Sequence, residues 1–468
     1  MGSVHLSSDV LSRAAEIVGA GFVKRDVASL DTYGTDAVNE TFRPDAVLLP
    51  ATTAEISAVA TLCHEHHVPL VARGGGTGYS GGAVPTRGGI VLSLERLNRI
   101  LEIDSENLLA RVQPNVITGD LHAAVERVGL MFPPDPASLA RSVIGGNIAE
   151  CAGGPRAFKY GTTRRYVLGL EAVLPTGEII HTGSKTVKNV VGYDLTQLLV
   201  GSEGTLAIIT EAILRLIPRP PARETLRATF GDVGGAVRAV SGLIAAGVVP
   251  ASVELVDAEC LTAVARHVGT PLAPVDTGAL LLIEVDGFPG GTAEEMTRVQ
   301  EACRAAGATD ILLAANDSER DALWRVRREL SPALKTISPI KFNHDVVVPR
   351  GRVPQLFELV ARLKTTHALR IPCFGHAGDG NIHVNIMVEP GDPEGLARAH
   401  EAERALFEGV VALEGSISGE HGIGFTKAPF LRLELSADEI ALMKRVKRAF
   451  DPHNILNPGK IFPDSRNT

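Results

Sequence analysis

The chain has 468 residues, of which 45% are hydrophobic and 21% charged, and its formal net charge is −8 at pH 7. These values predict a globular protein of roughly two to three domains, with enough apolar residues to bury a large core. Because the chain is acidic, only 4% aromatic and without a run of Lys or Arg, we expect that nucleic acid is not its main partner.

The five cysteines are spread along the chain and form no C-x-x-C pair. Their spacing predicts free thiols in a reducing compartment and argues against a Cys-ligated iron–sulfur cluster carried by this chain alone. The N-terminus has no basic region followed by an apolar one, and no apolar run approaches the ~18 residues of a membrane span. We therefore expect a cytoplasmic protein, and peripheral attachment to a membrane through a partner stays open.

The N-terminal half predicts alternating strands, helices and loops. Residues 45–78 have the pattern of a strand, a helix, a second strand and a glycine loop, with Thr53 as the N-cap candidate. Residues 88–116 predict short strands separated by turns, and residues 165–183 predict two strands around a Pro-Thr-Gly turn. A β-rich run over residues 204–221 ends in a proline cluster, which we take as the first domain boundary.

After the prolines the pattern changes to that of a smaller α+β domain. Helices and strands alternate there, which indicates a sheet with helices on one of its faces. The predicted helices of this domain cover residues 234–247 and 291–307, and the predicted strands cover residues 251–257, 278–287 and 341–349. A further amphipathic helix is predicted after Lys427, over residues 436–451.

The first glycine loop, "RGGGTGYSGG" at residues 73–82, contains a G-x-G-x-x-G match from Gly76 to Gly81. A Rossmann loop must open a helix, but the glycines and the proline that follow predict that no helix begins here. We expect instead a run of backbone N–H groups that binds phosphate oxygens. A plain mobile loop is the alternative.

Two further glycine-rich loops follow in the same half of the chain. The second covers residues 134–154 and is followed by "KYG" at 159–161, and the third is "GSEGTL" at 201–206. Each loop adjoins a strand pattern. Together the three loops could line one crevice suited to an extended dinucleotide.

The stretch "FGHAGDGNIHVNIMV" at residues 374–388 places two histidines around a glycine turn. Its last eight residues alternate as a half-buried strand, so His383 and Asn385 point to the same face, and His376 can fold back onto it. Glu420 in "SGEHGIG" offers a carboxylate. Two imidazoles and a carboxylate are a common set of ligands for a divalent metal. The alternative to a metal site is a turn whose polar side chains are hydrogen-bonded within the protein.

Five motifs occur in one order along the chain: "RGGGTG", "IGGNIAECAGG", "GSEGTL", "GHAGDGNIH" and "GEHGIG". In this series the chain, from about residue 43 to residue 463, resembles the vanillyl-alcohol-oxidase superfamily with its PCMH-type FAD-binding fold. More narrowly, it resembles the FAD-linked D-2-hydroxyacid dehydrogenases. That family includes D-lactate dehydrogenase, the glycolate oxidase catalytic subunit and D-2-hydroxyglutarate dehydrogenase.

The resemblance implies an α+β protein in three parts. A two-subdomain FAD-binding domain of the PCMH type is expected over residues 1–220. A substrate and metal cap domain, with an antiparallel sheet plus helices, is expected over residues 221–425. Residues 426–468 are expected to form a short helical segment that returns to the FAD domain.

The resemblance also implies which residues contact FAD. Thr77 stands where covalent members of the superfamily often have the histidine that is linked to the flavin, so we expect FAD to be bound non-covalently. The expected FAD contacts are Arg73, Gly74, Gly75, Gly76, Thr77, Gly78, Ser80, Pro134, Asp135, Ser138, Ser142, Gly145, Gly146, Asn147, Glu203, Gly204, Ile209 and Asn457.

For the metal, the resemblance implies that His376, His383 and Glu420 are the ligands of a divalent ion such as Zn²⁺, Mn²⁺ or Co²⁺. Asn385 is expected to assist the metal or the substrate. His421 is expected to be the general base, a role that suits an imidazole. The implied reaction is oxidation of a D-2-hydroxy acid to the 2-keto acid, with transfer of a hydride to the flavin.

The substrate carboxylate requires a cation, and Arg327 falls where the family has its substrate-binding arginine. Ser331 lies one turn later on the same helix face. Lys341 and Asn343 share a strand face, and Asn343 holds the position where 2-hydroxyglutarate enzymes tend to have a lysine. We therefore expect D-lactate or glycolate to be preferred to D-2-hydroxyglutarate.

Two other classes of function stay open at this point. A metal-dependent hydrolase could use the same two histidines and glutamate to activate water. A non-catalytic flavin-binding subunit is the second alternative, although such a subunit would not need the "GEHG" motif. For an enzyme, the electrons are expected to pass to an electron-transfer protein, an iron–sulfur protein or a quinone, in a homodimer or a hetero-complex.

Overall fold

The computed structural model describes residues 6–338 and 340–462. The strands are β1 (Val23–Lys24), β2 (Ala46–Leu48), β3 (Leu70–Arg73), β4 (Ile90–Ser93), β5 (Ile100–Asp104), β6 (Leu109–Val112), β7 (Leu130–Met131), β8 (Val167–Val173), β9 (Ile179–Gly183), β10 (Ile208–Arg215), β11 (Ile217–Pro218), β12 (Ala222–Phe230), β13 (Ser252–Asp257), β14 (Ala279–Gly287), β15 (Asp310–Leu313), β16 (Ile340–Val347), β17 (Cys373–His376) and β18 (Asn381–Val388). The helices are α1 (Ser8–Val18), α2 (Val27–Tyr33), α3 (Thr53–Glu65), α4 (Thr118–Glu126), α5 (Ile144–Glu150), α6 (Ala157–Tyr160), α7 (Leu195–Leu199), α8 (Val233–Ala245), α9 (Ala258–Val268), α10 (Pro289–Ala305), α11 (Asp317–Ile337), α12 (Val353–His367), α13 (Pro393–Ala412), α14 (Leu431–Glu434) and α15 (Ala437–Phe450).

The chain divides into two compact units. Unit 1 combines the chain up to Gly153 with Thr162–Arg219 and with the chain from Glu420 onward. Unit 2 combines Gly154–Gly161 with Pro220–Gly419. None of the described helices has the length and apolar character needed to cross a membrane.

The division into domains at residues 1–220, 221–425 and 426–468 stays a prediction. Its outermost parts, residues 1–5 and 463–468, lie outside the described residues, as does the last residue of the stretch that carries the family resemblance.

Unit 1 contains two main sheets. One has the strand order β1-β2-β4-β3, in which β4 pairs parallel with β2 and β3. The other is antiparallel, with the order β5-β6-β10-β8-β9. Helices α1 and α3 pack on the first sheet through Ala14, Ile56 and Val59, and the late residues Ile455 and Leu456 join the same apolar core.

Unit 2 is built on one antiparallel sheet of seven strands, β15-β12-β14-β13-β17-β18-β16. Helices α9 and α11 cover one face, where Val264 and Leu330 pack against Leu280 and Leu282 of β14. Helix α11 begins at a favourable signal, since the side chain of Asn316 accepts a hydrogen bond from the backbone N–H of Glu319. This helix carries Arg327 towards the sheet.

The predicted α+β fold with an antiparallel sheet plus helices is confirmed. The predicted strands and helices of the second half are present as β13, β14, β16, α8, α10 and α15. As expected, no helix follows the first glycine loop, because the chain runs from β3 to β4 without one.

The prediction that helices cover only one face of the unit 2 sheet was wrong. Eight of the nine residues of β14 are buried, from Ala279 to Asp286, so both faces of this strand are covered. Helices α8 and α10 contact β12 and β14 in addition to the cover that α9 and α11 provide. Strand β18 is likewise buried at all eight positions and not half-buried, and α13, which the sequence patterns had not indicated, packs against it.

Two local expectations of unit 1 also need correction. The N-cap of α3 is Thr52 and not Thr53, since the Thr52 hydroxyl accepts the backbone N–H of Glu55. The second glycine loop is not irregular throughout, because α5 begins within it at Ile144.

Candidate active site

The hairpin of β17 and β18 brings His376 and His383 together. Phe374 lies opposite His383 in the antiparallel register, and His376 lies opposite Asn381. The two imidazole rings meet edge to face, with centroids 5.4 Å apart. The turn between the strands needs glycine at Gly380, where φ is +86° and a Cβ would lie 2.1 Å from the Val348 carbonyl oxygen.

Glu420 completes a set of three possible metal ligands. One ligand atom each from His376, His383 and Glu420 lies within 4.8 Å of the others. Glu420 directly follows Gly419, whose backbone N–H donates to the Asp345 carbonyl and carboxylate oxygens, both at 3.0 Å. Two imidazoles and a carboxylate suit Zn²⁺, Mn²⁺ or Co²⁺, so the donor set fits the expected ion.

The sequence patterns had not singled out Glu254 on β13, which touches two of the expected site residues. Its side chain is 0% exposed, with Oε1 2.5 Å from His376 Nδ1 and Oε2 2.5 Å from Arg327 Nε. Burial tends to raise the pKa of this carboxyl, but His376 and Arg327 outweigh that effect and hold the pKa below its ordinary value. The only local signal was a lone carboxylate within the apolar strand "SVELV".

Arg327 is buried on α11, whereas Arg325 and Arg328 are exposed as expected for a solvated helix face. Its guanidinium lies over the Phe374 ring, 4.8 Å from the centroid. Ser331 is half-buried one turn later. Arg327 is buried beside Glu254, which also contacts His376. This position is compatible with binding of a substrate carboxylate.

The side chain of Asn385 is engaged within the protein. Its amide donates to the carbonyl oxygens of Pro372 and His383, both at 3.2 Å, and its oxygen accepts from Asn343 at 2.9 Å. Asn385 is thus placed to orient the backbone of His383. A direct contact of its side chain with metal or substrate stays a prediction.

Lys341 and Asn343 share one face of β16, and each has a buried polar atom without a hydrogen-bond partner among the described residues. These atoms are Lys341 Nζ and Asn343 Oδ1. Burial, with a smaller effect of Lys335, lowers the pKa of Lys341 to about 8. An unpartnered buried ammonium is costly, so this position favours a neutral amine or a bound anion.

The predicted base, His421, follows Glu420 directly in the chain and is half-buried. Its ring stacks on Tyr79 of the first glycine loop, with centroids 5.2 Å apart. Both residues belong to unit 1. The stacking holds the plane of the imidazole, and the role of His421 as the base stays a prediction.

The first glycine loop lies against the second. A Cβ on Gly74 would lie 2.4 Å from Val143 Cγ2, and one on Gly75 would lie 2.5 Å from the Arg141 carbonyl oxygen. A Cβ on Gly78, in contrast, would meet no atom within 4 Å.

Two side chains of this loop behave differently. Ser80 Oγ is fully buried and lacks a hydrogen-bond partner among the residues that the structure describes. Arg73 anchors the start of the loop, since its Nη2 donates a hydrogen bond to the Thr35 carbonyl oxygen at 2.7 Å. The orphaned hydroxyl and the open space beside Gly78 fit a loop that holds a pyrophosphate.

Two of the predicted FAD residues of the second loop, Ser142 and Asn147, form a buried network with Thr118. The amide of Asn147 donates to Thr118 Oγ1 at 2.7 Å, and that hydroxyl lies 3.0 Å from Ser142 Oγ. Gly145 leaves room for Pro114, whose Cβ would lie 2.6 Å from a Cβ at this position. The remaining expected residues of this loop are Pro134, whose carbonyl oxygen lies 2.9 Å from His122 Nε2, Asp135, Ser138, whose carbonyl accepts the N–H groups of Arg141 and Ser142, and Gly146.

The third loop is tied to the "GEHGIG" motif through Glu203. The buried carboxylate accepts the backbone N–H groups of Ile423 at 2.7 Å and Gly424 at 2.6 Å, and burial raises its pKa. Asn457 donates to the carbonyl oxygens of Gly82 and Glu203, both at 2.8 Å. These two side chains therefore hold the loops together. Gly204 lies beside them at a φ of +63°, and Ile209 is buried on β10.

The comparisons with known proteins identify the family of this chain. The family described as "FAD linked oxidases, C-terminal domain" matches residues 219–461, and the family described as "FAD binding domain" matches residues 44–183. Among curated relatives, the glycolate oxidase subunit GlcD of Bacillus subtilis is 43% identical over 98% of this chain and 97% of its own length. A D-lactate dehydrogenase of Anaerostipes hadrus is 35% identical over 93% of this chain and 96% of its own length.

Solved structures share the fold at low sequence identity. The 4-ethylphenol oxidase of Gulosibacter chungangensis aligns with a TM-score of 0.80 and 21% identity, over 99% of both chains. p-Cresol methylhydroxylase aligns with a TM-score of 0.80 and 18% identity, over 98% of this chain and 97% of its own. The expectation of a PCMH-type FAD-binding fold is confirmed.

Proposed function

The chain belongs to the FAD-linked oxidases of the PCMH-type FAD-binding superfamily, and on this premise we propose that it oxidises a small D-2-hydroxy acid with the help of a divalent metal. D-lactate and glycolate are the preferred substrates, and the product is the 2-keto acid. Relatives named for both substrates support this choice.

The proposal depends above all on the three ligand atoms of His376, His383 and Glu420, which lie within 4.8 Å of one another. A metal held by these three residues would lower the pKa of the substrate hydroxyl, and FAD held by the glycine loops would supply the acceptor for the C2 hydride. Arg327 binds the substrate carboxylate through its guanidinium. His421 accepts the hydroxyl proton, and loss of this proton together with the C2 hydride converts the 2-hydroxy acid into the 2-keto acid.

The residues of β16 bear on the choice between monocarboxylate and dicarboxylate substrates. Asn343 supplies no second cation for a distal carboxylate, which supports D-lactate or glycolate. The buried and unpartnered ammonium of Lys341 favours the second candidate, D-2-hydroxyglutarate, since it would gain an anionic partner. A kcat/KM for D-2-hydroxyglutarate that exceeds the others by about tenfold, or 1.4 kcal/mol, would reverse our order. Lys341→Ala should then erase that preference.

The electrons leave through an external acceptor. We propose an electron-transfer protein, an iron–sulfur protein or a quinone, because the sequence has no C-x-x-C pair for a cluster of its own. The subunit naming of the Bacillus relative supports a hetero-complex.

Anaerobic bleaching of the bound flavin by a panel of D- and L-2-hydroxy acids tests the proposal. We expect D-lactate or glycolate to bleach the flavin fastest and L-lactate to leave it oxidised. A flavin that no 2-hydroxy acid reduces would exclude the proposed function, and a colourless protein that hydrolyses an ester or amide would support the hydrolase.

The mode of FAD binding has a separate test. Thr77 occupies the position at which a histidyl linkage would need histidine, so acid precipitation should release all of the yellow chromophore into the supernatant. Flavin fluorescence that stays on the denatured protein band would contradict non-covalent binding.

A further inference from the structure

Glu254 is a carboxylate in an otherwise apolar part of β13. Its side chain is 0% exposed, and its neighbours Val253 and Leu255 belong to the buried core. A buried carboxylate costs several kcal/mol unless charges and hydrogen bonds compensate it. Apolar residues of similar volume would fill such a strand at lower cost, so the position calls for a function other than packing.

Each of the two carboxylate oxygens serves a different residue of the candidate active site. Oε1 lies 2.5 Å from His376 Nδ1, and Oε2 accepts Arg327 Nε at 2.5 Å. An ionised carboxylate only accepts hydrogen bonds, so Nδ1 of His376 carries the proton. The lone pair of a neutral imidazole is then on Nε2, which is the nitrogen that would bind a metal.

The contact with Arg327 orients its guanidinium in the same way. Glu254 engages Nε rather than the terminal nitrogens, and the Phe374 ring lies 4.8 Å from the guanidinium carbon. The Glu254 carboxylate and the Phe374 ring together fix the plane of the Arg327 guanidinium. Its two terminal nitrogens then stay available for two parallel hydrogen bonds with a carboxylate.

We propose that Glu254 is the positioning residue that couples the metal site to the substrate arginine. One rigid carboxylate selects the metal-binding tautomer of His376 and sets the direction of Arg327. Loss of the Glu254 carboxylate should therefore weaken the binding of both the metal and the substrate carboxylate. The inference rests on the proposed function, since it assumes that His376 ligates a metal and Arg327 binds substrate.

The chain offers a matched control on the neighbouring strand. Glu284 on β14 is also buried, but one oxygen, Oε2, accepts both Thr225 Oγ1 at 2.8 Å and Trp324 Nε1 at 3.1 Å. An amide oxygen can replace that acceptor. The amide of a glutamine at position 254 cannot serve both partners, because its NH₂ group would either face the Nε–H donor of Arg327 or select the His376 tautomer that carries the proton on Nε2.

The experiment compares Glu254→Gln and Glu284→Gln in the FAD-loaded protein. Co²⁺ is titrated into metal-free protein and its visible absorption is followed, and KM and kcat are measured with D-lactate. We expect Glu254→Gln to bind Co²⁺ about 10–100-fold more weakly, the range for loss of a carboxylate behind a ligating histidine. We also expect a higher KM, because Arg327 loses its orientation, and wild-type values for Glu284→Gln.

Glu254→Asp keeps the comparison informative if Glu254→Gln does not fold. The aspartate retains the charge beside Arg327 but is one methylene too short to hold both partners, so Co²⁺ affinity and KM should again change together. Wild-type Co²⁺ affinity and KM in a folded Glu254 variant would overturn the inference while the proposed function stands. Failure of both Glu254 variants to fold beside a folded Glu284→Gln would assign Glu254 a purely structural role. Wild-type protein that binds no Co²⁺ and is not reduced by any 2-hydroxy acid would instead refute the proposed function.

Discussion

The two candidate binding regions of the molecule are built in opposite ways. On the unit 2 sheet, side chains are proposed to supply the chemistry, and the strand register places Glu254 opposite His376 and His383 opposite Phe374. In the glycine loops of unit 1, the side chains of Asn147 and Glu203 bond to the protein itself. We expect these loops to bind a ligand mainly through backbone N–H groups.

The difference predicts different responses to substitution. A side chain removed from the sheet should cost chemistry and leave the fold intact, because the apolar core of α9, α11 and the sheet supports the unit without it. A methyl group added to a glycine loop should cost structure or cofactor binding, because the loops lie in close backbone contact. The four predictions below test this contrast, from the largest expected effect to the smallest.

Removal of the metal should abolish turnover and leave the protein folded. We expect His383→Ala, or treatment of the wild type with a chelator, to stop flavin reduction, since no ion is left to polarise the hydroxyl. Added Mn²⁺, Zn²⁺ or Co²⁺ should restore the chelated wild type but not the variant. Thermal unfolding and flavin content are measured alongside, and unfolding or loss of FAD on chelation would show that the metal is structural.

His421→Ala should slow flavin reduction by about 10²–10⁴-fold, the usual contribution of a general base. Metal content and flavin content should stay at wild-type levels, because His421 is outside the proposed ligand set. His181→Ala is the control, since His181 is an exposed histidine on β9 of the same unit. A rate of flavin reduction near that of the wild type would remove His421 from the mechanism.

The sequence predicted the regular elements well where local periodicity decides them. Strands β13, β14 and β16 and helices α8, α10 and α15 follow from alternation and helical spacing. The burial of β18 on both faces did not follow, because it depends on α13, for which the sequence patterns had given no expectation. The N-cap of α3 was misplaced by one residue because two adjacent threonines offer the same hydroxyl.

The candidate site divides in the same way. The three proposed metal ligands were found from their motifs, and the structure brings their ligand atoms within 4.8 Å. Glu254 was missed because its contact with His376 joins residues 122 positions apart, through the pairing of β13 with β17. Strand pairing over such a separation leaves no pattern in a local stretch of sequence.

Gly75→Ala and Gly78→Ala should separate the structural cost from the cost of cofactor binding within one loop. A Cβ at Gly75 would lie 2.5 Å from a backbone carbonyl oxygen, so we expect the unfolding free energy to fall by about 1–3 kcal/mol. A Cβ at Gly78 would meet no protein atom within 4 Å, so the stability of the FAD-free protein should be unchanged. FAD affinity should nevertheless fall, if a phosphate approaches the backbone there. Equal melting temperatures for the two FAD-free variants would contradict the close contact at Gly75.

Lys341→Met should stabilise the protein, an unusual effect for a substitution on the candidate active-site sheet. Burial lowers the pKa of Lys341 to about 8, whereas an unfolded lysine titrates near 10.4. Between these values the unfolded chain binds a proton that the folded chain does not, so wild-type stability should rise as the pH increases from about 8 to 10. Below pH 8 the buried ammonium carries its full cost, and the methionine removes it.

We expect Lys341→Met to raise the unfolding free energy by an amount on the order of 1 kcal/mol at pH 7, discounted for partial exposure of the side chain. This gain should shrink towards pH 10. Urea unfolding of both proteins at pH 7 and pH 9.5 measures the difference, and Lys188→Met, at an exposed lysine outside the unit 2 sheet, is the control. A Lys341→Met protein that is less stable than the wild type at pH 7 would show that the ammonium has a partner in solution, as expected if it holds a bound anion.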